Sequence, residues 1–87
     1  MRSGPYSELL RLPVRTNGIE LARPVDTLVG AEGELVGFEV QCRDGSRRFL
    51  PAAAAEIRAD EIHVGSALVF LDERELSWYR KQTGSAA

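Results

Sequence analysis

Apolar and polar positions alternate through the first half of the chain, and short turn signals punctuate the alternation. Asn17-Gly18 suits a two-residue turn with positive φ at both positions. That turn places Thr16 opposite Ile19, Arg15 opposite Glu20 and Val14 opposite Leu21, so one side is apolar and the other carries an opposite-charge pair. Further on, Val36, Phe38, Val40 and Cys42 alternate with Gly37, Glu39, Gln41 and Arg43. This is the period of a half-buried strand. A two-residue turn at Asp44-Gly45 then sets Val40 opposite Phe49 and Gln41 opposite Arg48. In that register Phe49 joins the core face, while Leu35 and Leu50 point outward.

Three more strands are expected. Residues 25–29 form one, with Pro24 before it at a strand start, an edge or a bulge because proline cannot donate to a ladder. Ile62 and Val64 share a face, with His63 opposite, and residues 67–71 read as a largely buried strand. The core is therefore expected from Phe38, Val40, Phe49, Val29, Ile62 and Val64. The four alanines of residues 52–55 follow Pro51 and suffice for a helical turn, not for a helix.

The period changes at the end of the chain. Asp72 is a helix N-cap, with Glu75 in the capping-box position and Leu71 and Leu76 as a hydrophobic staple. Arg80 and Lys81 suit the negative end of the helix dipole, and Gly84 can stop the helix. These signals predict a helix over residues 73–82. The division that follows is a leader over residues 1–8, a β domain over 9–71, the helix over 72–82 and a tail over 83–87.

Composition narrows the chemistry. The 87 residues suffice for one core. Eleven basic against thirteen acidic residues give a net charge of −2, so no global basic footprint for nucleic acid exists. Cys42 is the single cysteine and His63 the single histidine, which excludes an internal disulfide and any Cys-rich or His-pair metal site. The start of the chain has no apolar signal-like stretch. The longest apolar run, 67–71, is far too short to cross a bilayer. The expectation is a soluble cytoplasmic protein with no membrane span.

The order of these residues resembles the PRC-barrel family, named for the photosynthetic reaction centre H subunit and shared by the C-terminal domain of the ribosome maturation factor. Val14 and Gly18 are similar to its opening, Asp26 with Leu28-Val29 to its aspartate and strand, and Gly33 with residues 34–40 to its next hairpin. Leu50-Pro51 is similar to its leucine-proline, and Ile57, Asp60 and residues 62–64 to its close. Ala22 stands where the family usually has glycine, and Pro24 where it usually has an apolar strand residue. The resemblance implies an all-β fold, a small PRC-type β-barrel of about six strands, here followed by one C-terminal α-helix. It also implies a non-enzymatic adaptor or assembly module that docks onto another protein. The alternative it carries is an accessory role in RNA metabolism or ribosome maturation.

Individual residues add little catalytic promise. His63 lacks an evident partner, since alternation puts Glu61 rather than Asp60 on its face. Cys42 alternates with core residues and reads as a small hydrophobe. Asp26 has no second carboxylate at a useful spacing and suits a turn hydrogen bond. The segment 30–33 joins two strands rather than opening a helix, so it is no phosphate loop. No catalytic, cofactor-binding or metal-binding residue is nominated. The candidate partner-binding residues are Trp78, Tyr79 and Leu76, which span an arc of about 160° on the helix, with the outward Leu50 and Leu35, which also suggest a homodimer. Arg43, Arg47 and Arg48 crowd one hairpin tip as a candidate anion contact.

Overall fold

A computed structural model describes residues 6–82 and 84–85. A 3-10 turn, Ser7–Arg11, opens the described chain. Four strands follow as consecutive antiparallel hairpins: β1 (Val14–Thr16), β2 (Ile19–Val29), β3 (Leu35–Cys42) and β4 (Arg47–Pro51). After a single 3-10 turn at Ala52–Ala54 come β5 (Glu56–Ile57) and β6 (Ile62–His63). The helix α1 spans Glu73–Gln82, and β7 (Gly84–Ser85) pairs with the far end of β2. Of the segments expected as leader and tail, residues 1–5, 83, 86 and 87 lie outside the described residues.

The chain is thus mostly β with one C-terminal helix. The strand order is β4-β3-β2-β1-β6-β5, with β1 and β6 parallel. The two end strands, β4 and β5, do not pair, so among the described residues the mixed sheet is not closed by hydrogen bonds into a barrel.

The first hairpin turns at Asn17 and Gly18, with φ of 50° and 81°. Thr16 faces Ile19 and Arg15 faces Glu20, but Val14 faces Ala22 rather than Leu21. A bulge inserts Leu21, and this lets both Leu21 and Ala22 pack on the same core. A second bulge on β2 inserts Val25 directly after Pro24. Pro24 also lies between the stretch of β2 paired with β1 and the stretch paired with β7, where its missing N–H costs no ladder bond on that side.

The β3–β4 hairpin overturns the expected register. Cys42 N–H donates to the Ser46 carbonyl (2.8 Å), closing a three-residue loop of Arg43, Asp44 and Gly45, with Gly45 at φ 89°. That is the type I turn plus left-handed glycine, one residue longer than the expected loop. Each cross-strand pair moves by one: Phe38 faces Leu50, Glu39 faces Phe49 and Val40 faces Arg48. A one-residue shift exchanges the faces of a strand. Leu50 therefore points into the core, fully buried, and Phe49 points to the other face. Leu35 is corrected for a different reason. A bulge at Val36 reverses the alternation of β3, turning Leu35 onto the core, half-buried, and Val36 away from it. The outward pair that suggested a homodimer does not exist.

Residues 67–71 are not a buried strand. Ser66 Oγ accepts the Leu68 N–H (3.0 Å), which diverts the backbone into a 3-10 turn, Ala67–Val69, and leaves Leu68 91% exposed. Only Leu71 returns to the sheet, exchanging both backbone hydrogen bonds with Phe49 at 2.8 and 2.7 Å.

Two apolar clusters cover the two faces. The larger contains Leu12, Val14, Ala22, Phe38, Val40, Leu50, Ile62 and Val64. The smaller, under α1, contains Leu28, Phe49 and Leu76, with Val36, Leu71 and Tyr79 packed against it. Phe49 thus serves the second cluster instead of joining Val40, and Val29 is only half-buried.

Candidate functional site

The site is built on α1, which begins at Asp72. Its Oδ1 accepts the N–H groups of Arg74 (3.0 Å) and Glu75 (3.1 Å), so two of the first-turn donors are satisfied. Leu71 and Leu76 meet in the smaller cluster, as a staple should. One turn on, the Tyr79 ring stacks on Phe49 with centroids 4.3 Å apart and 15° between planes.

Charge fastens the same face. Arg80 reaches Asp26 Oδ2 (3.3 Å) and Glu39 Oε1, and Arg47 Nη1 bonds Glu39 Oε2 at 2.6 Å. The Glu39 side chain is only 11% exposed. A carboxylate so buried needs both its oxygens paired, and the two arginines do this. Asp26 Oδ1 also accepts the Thr27 N–H at 2.8 Å, a short-range bond made within β2 rather than at a turn as expected.

With Leu76, Tyr79 and Arg80 turned to the sheet, Trp78 is turned away and 55% exposed. Its ring stands edge-on to Tyr79 (4.9 Å, 84°), which limits its rotamers without covering it. Arg74, Ser77 and Lys81 are exposed around it and, with Glu75 and Tyr79, border an open groove of about 640 Å³.

The remaining candidates are distributed differently. Of the partner-binding set, Trp78 is on the surface, Leu76 and Tyr79 face the sheet, and Leu35 and Leu50 belong to the core. The three hairpin arginines are not one cluster. Arg47 is held by Glu39, and Arg48 Nε donates to Ser46 Oγ (3.3 Å). Arg43 lines a separate groove of about 460 Å³ with Arg23, Val25 and Cys42. Arg47 and Arg48 instead border a groove of about 540 Å³ with Asp72, Glu73, Arg74 and Ser77.

His63 Nδ1 lies 3.7 Å from Glu61 Oε2, on the face that alternation assigns them. Glu61 also meets Arg15 (3.6 Å) and Arg58 (3.3 Å), so it sits in a charge lattice spanning β1, β5 and β6. Two perturbed carboxyls lie on the surface. The Ser46 hydroxyl and amide hold Asp44 below its usual range, and the Arg58 guanidinium does the same for Glu56 while its own pKa is raised in return.

The Asp26–Arg80–Glu39–Arg47 network was missed in the sequence. Alternation assigns Glu39 to the face opposite the core, without revealing that α1 covers that face. The available hint is Gly37 on the same side of β3, the mark of a close approach.

Among the described residues no group of three or more His, Cys, Asp or Glu converges as a metal site, and no helix is long and apolar enough to cross a membrane. The chain matches no protein-family model and no curated protein.

Proposed function

We propose that the chain is a non-enzymatic protein-interaction module of PRC-barrel type, an adaptor or assembly piece working in the cytoplasm, with α1 as its docking element. One observation carries the reading. Trp78, the single tryptophan, is 55% exposed on a helix whose opposite face is held by a ring stack and two ion pairs. A large aromatic ring presented on a rigid support is the usual anchor of a protein interface. The consecutive hairpins running into Leu50-Pro51 support the PRC-type architecture, as does the aspartate on β2.

The test is recovery of a partner from native cells on the tagged chain, compared with the Trp78→Ala variant. A defined protein should be held by the wild type in moderate salt and lost by the variant, while both give the same far-ultraviolet circular dichroism. Equal recovery by both overturns the reading. Recovery that is abolished by ribonuclease and falls steeply with salt replaces it with the RNA-associated alternative.

A further inference from the structure

Two open grooves meet on α1. The groove around Trp78 and the groove beside the β3–β4 hairpin share Arg74 and Ser77 on their walls. Arg74 and Ser77 thus stand between the Trp78 groove and the groove that Arg48 borders.

The charges in the Trp78 groove are divided between its two flanks. At 100° per residue, Arg74 and Lys81 fall about 40° and 60° to one flank of Trp78, and Glu75 about 60° to the other. Neither Arg74 nor Lys81 pairs with a described carboxylate. Arg48 commits its Nε to Ser46. Asp72 and Glu73 both oppose Arg48 in the second groove, since the cap bonds to Asp72 leave its charge in place.

We infer that the groove around Trp78 takes an extended acidic segment of another protein, with one apolar side chain on Trp78 and carboxylates at Lys81 and Arg74. The inference rests on the reading of α1 as the docking element. Discrete carboxylates suit the spacing better than nucleic acid does. Glu73, Glu75 and Asp44, which lies within electrostatic reach of Arg48, break up the continuous positive field that a phosphate backbone requires. A second copy packed antiparallel on this helix would set the Arg74–Lys81 flanks against each other, like charge on like.

The experiment is a selection of displayed random peptides on the full chain, with affinities read from Trp78 emission. The enriched peptides should carry clustered Asp and Glu beside one apolar residue and shift the emission to the blue. They should bind Leu68→Ala, a remote surface variant, as well as the wild type. They should lose about five- to tenfold in affinity on the charge-reversed pair Arg74→Glu with Lys81→Glu. Trp78-dependent peptides that are neutral or basic overturn the acidic partner and leave the docking element standing. Enrichment unaffected by Trp78→Ala overturns both. Sedimentation showing a dimer that buries Trp78 assigns the surface to a second copy, and tight oligouridylate binding assigns it to RNA; either overturns the inference.

Discussion

At Gly37 a missing side chain sets the spacing between a strand and the layer above it. A Cβ there would stand 2.5 Å from the Leu50 carbonyl oxygen and 2.6 Å from the Phe49 ring. Neither neighbour can retreat, because Phe49 is stacked under Tyr79 and Leu50 is in the ladder. Gly37→Ala should therefore cost about 1–3 kcal/mol in a urea melt, as overpacking does. Leu50→Asp should abolish folding rather than yield a soluble variant, since it buries an unpaired charge; a folded, well-behaved Leu50→Asp protein would count against the register. Asp44 gives a pH effect of defined sign. Its carboxyl is held below the ordinary 3.8 by Ser46, so the stabilisation is present above about pH 4 and lost as pH falls through the folded value. Asp44→Asn should flatten the decline of Tm with acidification below about pH 4. The same turn explains what the sequence hides. Both the two-residue and the three-residue loop want a glycine with positive φ after an aspartate, so Asp44-Gly45 cannot choose between them, and the choice decides the faces of Phe49 and Leu50.

Elements were legible where their signals are local. The helix runs over Glu73–Gln82 as expected, because the cap, the staple and the dipole charges all lie within a few residues of its ends. Asp72→Ala should cost about 1 kcal/mol, visible as reduced helical signal on mild heating. What α1 rests on was not legible, because Arg80 finds Asp26 and Glu39 on distant strands. Arg80→Met leaves Glu39 to Arg47 alone; with the arginine side chain 38% exposed, the loss should be about 1–2 kcal/mol, with α1 loosened and Trp78 emission moved toward that of water. The short strands were the other weak point. Residues 67–71 are as apolar as a strand, yet Ser66 captures the local backbone first.

For the whole molecule, β2 is the spine. It pairs along its length with β3, at one end with β1 and at the other with β7. The larger core hangs on this frame, and Phe38→Ala should cost about 3–5 kcal/mol, a large share of the stability of so small a domain. The β4 edge of the sheet is guarded. On β4, Phe49 already spends both backbone groups on Leu71, and Pro51 has no N–H to offer. The all-β character was legible from turn spacing. Whether the sheet closes was not, because closure depends on strands far apart in the chain.

The parallel contact of β1 with β6 also sets an order of events. The hairpins from β1 to β4 need only neighbouring segments, whereas the Ile62 and Val64 amides must find the carbonyls of Pro13 and Arg15 across the intervening chain. Contacts between distant segments are slow to form because the connecting loop must first be closed. Emerging from the ribosome, the chain has a complete four-stranded meander on offer as soon as Pro51 is out, while β6 and then α1 arrive afterwards to cover its two faces. Until they do, the undersides of Phe38 and Phe49 are bare, and that interval is when a newborn copy is most open to chaperones and to its neighbours.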